Sequence, residues 1–79
     1  MAVRLFVGNL SHTITDADLE SVFDQYGKVR RAQVAMDRHT GRSRGFAFVE
    51  MADGGDDAIA ALNGAEWGGR SLKVSEAKS

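Results

Sequence analysis

The chain of 79 residues contains no cysteine and no proline. Without cysteine there are no disulfide staples, no thiolate metal sites and no cysteine nucleophile. That absence fits a reducing compartment. Long apolar runs are missing too: nothing approaches the ~20 residues of a membrane span. The start of the sequence lacks the charged-then-apolar pattern of a signal peptide. The expectation is a soluble, cytoplasmic protein without membrane contact. Histidines are few: His12 and His39 fall in separate polar stretches with no partner in view. A net excess of either charge is lacking as well, the formal balance being -1, which argues against a strong polyanion binder. Yet charge is segregated. From Lys28 to Arg44 the basic residues are Lys28, Arg30, Arg31, Arg38, Arg42 and Arg44, against Asp37 alone. Asp16, Asp18, Glu20 and Asp24 form an acidic run. A neutral total thus hides one basic and one acidic region, and local field steers ligands.

What is present centres on Arg44-Gly45-Phe46-Ala47-Phe48-Val49-Glu50-Met51. As a β-strand its side chains alternate between two faces. Gly45, Ala47, Val49 and Met51 share one face; Arg44, Phe46, Phe48 and Glu50 share the other. If the aliphatic face is the core side, two phenylalanines stand exposed between charges. Inverting the strand would bury both rings but also Arg44 and Glu50, at several kcal/mol per unpaired charge. Val3 to Gly8 repeats the arrangement, with Val3, Leu5 and Val7 against Arg4, Phe6 and Gly8. Exposed aromatic rings beside cations suit the stacking of flat rings that carry phosphates.

The remaining elements follow in order. Asn9 to Thr13 reads as a loop. Thr15 is a helix N-cap, Asp18 stands in the capping-box position, and Ile14 with Leu19 forms a hydrophobic staple. Leu19, Val22, Phe23 and Tyr26 make one apolar stripe, so Phe23 and Tyr26 are core residues, and Gly27 ends the helix. Val29 to Met36 is a strand with Val34, Ala32 and Val29 inward and Arg31, Gln33 and Ala35 outward. Val29 and Ala32 differ in parity, which predicts either a bulge or a late strand start. Asp37 to Ser43 is a polar connection. Ala52 to Gly55 is a turn with Asp53 as the cap of a second helix, which carries Ala58, Ile59 and Leu62 inward and runs to about Asn63. Ala65 to Gly69 reads as a loop with Trp67 over the core edge. Arg70 to Val74 is the last strand, with Leu72 and Val74 inward and Ser71 and Lys73 outward. The folded part is expected over about 3–75, with a polar tail at 76–79. The order is β-α-β-β-α-β: an α+β sandwich of two helices covering one face of a four-stranded antiparallel sheet, the other face bare. One small domain of this size buries only about 60% of its unfolded surface.

Leu5-Phe6-Val7-Gly8-Asn9-Leu10 resembles the RNP2 motif of the RNA recognition motif family, and Arg44 to Met51 resembles its RNP1 motif. The pair stands in the right order, and the likeness covers nearly the whole chain. It is closest to small bacterial and cyanobacterial single-domain members, with plant glycine-rich RNA-binding proteins next. The resemblance implies a ferredoxin-like fold and a single-stranded RNA ligand, with DNA bound more weakly. Carried over by position, Phe6, Phe46 and Phe48 stack bases and touch sugars, and Arg44 contacts phosphate. Outward Gln33 and Lys73, and Glu76 to Lys78 after the last strand, read base edges. Arg4, Arg31, Arg38 and Arg42 add cations on or around the same face. Met51 stands where the family usually has an aromatic residue, but parity turns it inward. The pI near 6.0 is low for an RNA binder and implies modest affinity.

The same residues speak against two other functions. A small phosphohydrolase of this topology needs a positioned acid, base or phosphate cradle, which His12 and His39 do not supply. A metal carrier of this topology needs cysteine pairs. No cofactor or metal is expected. A protein partner on the acidic first helix is compatible with RNA binding, and the chain is expected to be a monomer.

Overall fold

A computed structural model describes residues 2–77. In chain order the elements are β1 (Val3–Gly8), α1 (Asp16–Phe23), β2 (Val29–Met36), β3 (Ser43–Met51), α2 (Gly55–Leu62), β4 (Glu66–Trp67), β5 (Arg70–Ser71) and β6 (Lys73–Glu76). Four of the strands form one antiparallel sheet in the order β2-β3-β1-β6. The register sets the two faces. Leu5 stands opposite Val49 and Val7 opposite Ala47, all fully buried. Between them Phe6 stands opposite Phe48, and Arg4 opposite Glu50. Cross-strand partners share a face, so a slip of one residue would put both phenylalanines into the core.

The aliphatic face is sealed by both helices. Leu19 and Phe23 of α1, with Ala58 and Leu62 of α2, share one buried cluster with Leu5, Val7, Val34, Val49, Met51 and Val74. Thr15 caps α1: its hydroxyl accepts the Asp18 amide at 3.2 Å, and the Asp18 carboxylate accepts the Thr15 amide at 3.0 Å. Aspartate thus completes the reciprocal box as the sequence predicts. The helix ends at Phe23, a turn before Gly27. Tyr26 packs against the core from the following turn, its N–H donating to the Phe23 carbonyl at 3.0 Å. Of the two expected irregularities in β2 the structure has the bulge: the strand starts at Val29, and the register shifts between Val29 and Arg31, so that Arg30 is the extra residue.

Two expectations are corrected. Asp53 is not the cap of α2. Gly54 holds that position at φ 72° with no side-chain cap, and the Asp53 carboxylate instead accepts the Lys28 amide at 2.8 Å. Turning through a left-handed residue moves Asp53 off the helix axis and onto the α1–β2 turn. The second correction concerns Ala65 to Val74. Glu66–Trp67 and Arg70–Ser71 pair as a small separate hairpin across Gly68 and Gly69, both at positive φ. Such a two-glycine turn matches the twist of a hairpin. Leu72 is buried and leaves the ladder, its N–H bonding the Ala65 carbonyl at 2.8 Å. The last sheet strand therefore begins at Lys73 and includes Glu76, which was expected to lie in the tail. The outer strands are also tied by side chains from the helical layer. Asp16 accepts the Val34 amide at 2.7 Å, and Asn63 accepts the Val74 amide at 3.1 Å. Amides so occupied are closed to pairing with another chain.

Candidate nucleic-acid interface

The uncovered face of the sheet carries Phe6, Phe46 and Phe48, each half-buried. Their ring centroids form a triangle: 5.8 Å from Phe6 to Phe46, 5.8 Å from Phe6 to Phe48, and 6.1 Å from Phe46 to Phe48. Phe6 and Phe46 are inclined by only 29°, whereas Phe48 meets its neighbours edge-on at 65° and 87°. These are the offset and T-shaped geometries that aromatic quadrupoles favour. Gly8 makes room for the Phe6 ring, because a Cβ there would lie 2.7 Å from Phe6 Cε2.

Two arginines stand on the rings themselves. The Arg4 guanidinium carbon is 4.2 Å from the Phe48 centroid, and that of Arg44 is 5.3 Å from the Phe46 centroid. At exposed sites such contacts contribute about 0.5–1 kcal/mol. Arg4 thus covers a ring face that a stacking base would use. On β2, Arg31 and Gln33 stand opposite Glu50 and Phe48 and are joined by an Arg31 Nη2 to Gln33 Oε1 bond of 3.0 Å.

On the other side of β1, Lys73 stands opposite Gly8 and Ser75 opposite Phe6, which places both on the aromatic face. Glu76 stands opposite buried Leu5, and its parity turns it toward the helical side at the sheet edge. Lys78 lies outside the described residues. Ser75 falls outside the strand that the sequence pattern predicts, which ends at Val74, whereas the observed strand continues to Glu76. The double glycine at 68–69, flanked by short polar–aromatic runs, is the signal that would have located the hairpin.

Arg38 and Arg42 are exposed in the β2–β3 loop. Asp37 shapes that loop: its carboxylate accepts the His39 amide at 2.7 Å and the Thr40 amide at 3.2 Å. Its own N–H donates to the Arg42 carbonyl at 2.8 Å. The two amides, and secondarily the Arg44 charge, hold the Asp37 carboxyl below its ordinary value of 3.8. The folded pKa is depressed, so the carboxylate stabilises the loop above the unfolded value. That contribution is lost as pH falls through the folded value. Acidification is therefore expected to free the His39 and Thr40 amides while the sheet persists. Amide shifts followed through an acid titration check this, and a loop signal unmoved down to acid unfolding would contradict it.

Across the chain, Asn9 ties the β1 exit to the hairpin, its Nδ2 donating to the Ser71 carbonyl at 2.8 Å while its Oδ1 accepts from Arg70 at 3.3 Å. Among the described residues no three His, Asp or Glu side chains converge as metal ligands. His12 and His39 sit exposed in different loops.

An antiparallel sheet with helices on one side and a phenylalanine triangle under arginines on the other defines an α+β module with an open aromatic face. The chain belongs to the RNA recognition motif family, whose profile matches residues 5–73. RbpB of Nostoc sp., an RNA-binding protein by name, is 54% identical over 78 residues, covering 96% of this chain and 76% of that protein. RbpA of Synechocystis sp., named in the same way, is 54% identical with 96% and 77% covered. Among solved structures, RNA Binding Protein PG1 superposes with a TM-score of 0.94 at 46% identity, covering 98% of this chain and 95% of its own. A Sex-lethal protein/RNA complex superposes at 0.90 with 33% identity, covering 100% of this chain and 48% of its own.

Proposed function

We propose that this chain is a single-stranded RNA-binding module that performs no reaction of its own. The observation that carries the reading is the Phe6–Phe46–Phe48 triangle on a sheet face that, among the described residues, no other element covers. Every base has a π-face, and each stacked base contributes about 1–3 kcal/mol. Three rings over two or three bases, less the cost of ordering the strand and moving Arg4, suggest affinity near micromolar, about -8 kcal/mol. Relatives and structural neighbours are named for RNA binding or determined with RNA, which supports the same ligand class.

Charge orients the ligand. Arg4, Arg31, Arg44 and Lys73 fringe the aromatic face, with Arg38 and Arg42 at its rim. Asp18, Glu20 and Asp24 on the helical side are exposed and repel phosphates, so RNA is confined to the sheet and the acidic side stays open to a protein partner. The setting we propose is a cytoplasmic, monomeric protein acting on transcripts after their synthesis.

The reading is tested by titrating labelled single-stranded RNA, the same sequence as DNA, and its duplex. RNA is expected to bind best, because a face that touches sugars can use the 2′-hydroxyl, and duplex worst, because its bases are not splayed. Equal affinity for duplex and separated strand would end the stacking account. Arg42→Ala is expected to weaken all sequences alike and to flatten the salt dependence by about 0.7 in slope, the share of one single-strand phosphate contact. A changed base preference with an unchanged slope would move Arg42 from phosphate to base recognition.

A further inference from the structure

We propose that the depression beside Phe48 selects guanine, through two hydrogen bonds from the base to the Glu50 carboxylate. This rests on the RNA-binding reading above and adds base choice to it. The depression has a volume of about 280 Å³ and is lined by Arg4, Arg31, Gln33, Phe48 and Glu50. It lies just below the ~300–1,000 Å³ range of drug-sized pockets, a scale suited to one base. Phe48 supplies a wall on which that base can stack.

Glu50 is out of place on a phosphate-binding surface. It is the acid among the outward positions of the sheet, and the register sets Arg4 on one side of it and Arg31 on the other. Neither arginine is paired with it. Arg4 lies over Phe48, and Arg31 bonds Gln33. The ion pair Glu50 does make is with the bulge residue Arg30, at 3.8 Å, with 57% and 45% of the two side chains exposed. A long, solvated contact of that kind gives way readily to a ligand.

An ionised carboxylate only accepts hydrogen bonds, through two oxygens side by side. Among the four bases, guanine alone presents two adjacent donors, N1–H and the 2-amino group, which meet a carboxylate as a guanidinium fork does. Adenine and cytosine offer one amino group beside an acceptor nitrogen. Uracil offers N3–H between two carbonyl oxygens that the carboxylate repels. On guanine's remaining edge O6 and N7 accept, and arginine is the usual donor to that pair. Arg4, leaving the Phe48 face as the base enters, and Arg31 with Gln33 stand on either side to supply it.

The test uses the full chain and labelled pentanucleotides UUGUU, UUAUU, UUCUU and UUUUU, with an inosine version of UUGUU. The parent is expected to bind UUGUU about tenfold more tightly than the others. Inosine, which lacks the 2-amino group, should lose most of that gain. Glu50→Gln carries one acceptor oxygen and an opposing amide donor. It should bring the five ligands to within about twofold, while UUUUU binds as well as before or better, a negative charge having been removed. Glu50 is half-exposed, and equal melting of parent and variant shows that the fold is intact. A parent without guanine preference, inosine binding like guanine, or preference retained in Glu50→Gln would each overturn the proposal. If any of these occurs while Phe48→Ala still weakens all five ligands, only the guanine assignment falls. If no pentanucleotide binds, or Phe48→Ala leaves binding unchanged, the RNA reading falls with it.

Discussion

Met51→Ala is expected to destabilise the domain by about 2–5 kcal/mol, the range for truncating a large buried side chain. Met51 is fully buried within the cluster that joins sheet and helices. In a domain of this size each kcal/mol moves the melting temperature by roughly 4–8 °C, so a fall of about 8 °C or more is expected. Where the variant remains folded, its RNA affinity should equal the parent's, because Met51 points away from the aromatic face. Phe48→Ala, three residues earlier on the same strand, should behave oppositely. It removes a half-buried ring that touches Phe6, Phe46 and Arg4. The lost cross-strand contact costs a few tenths of a kcal/mol up to about 1 kcal/mol, while RNA binding falls by about 1–3 kcal/mol. Thermal melts and RNA titrations of the two variants side by side decide the matter. Exchange of the two outcomes would mean that the strand faces the other way and the rings belong to the core.

Gly54→Ala is expected to be nearly as damaging, although it adds one methyl group. Gly54 has φ 72°, and a Cβ there would overlap the Tyr26 carbonyl oxygen and stand 2.8 Å from Gly27 Cα. The left-handed backbone costs an alanine about 1–2 kcal/mol. Forcing backbone apart at a tight contact costs typically 1–3 kcal/mol more. Neither partner is a side chain that can swing aside. Because the Lys28 amide bonds the Asp53 carboxylate beside it, the shift should reach the start of β2. Gly64→Ala is the control: Gly64 is also at positive φ, at 86°, but a Cβ there meets nothing within 4 Å. Denaturant melts should show the larger loss for Gly54→Ala. Equal losses would mean that backbone conformation alone accounts for both and that the approach to Tyr26 is not tight.

The sequence by itself determined the sidedness of β1 and β3, the capped start of α1, the presence of an irregularity near the start of β2 and the order of the main elements. Those features are local. A period of two separates Leu5 and Val7 from Phe6, and Val49 and Met51 from Phe48, whatever the rest of the chain does. A threonine three residues before an acid caps a helix within its own turn. Only the tertiary structure decided where β6 begins, because its register is set by pairing with β1 across more than sixty residues and by the hairpin that removes Leu72 from the ladder. That register brought Ser75 to the aromatic face and turned Glu76 away from it. Side-chain competition was likewise invisible in the sequence. Asp53 was free to cap α2 but bonds Lys28 because Gly54 turns the chain between them. Arg4 was free to pair with Glu50 across the strand but lies over Phe48, since a solvated ion pair gains little over a cation above a ring. Which of several near-equal partners a long polar side chain takes depends on what the fold places beside it, and alternation along a strand carries no information about that choice.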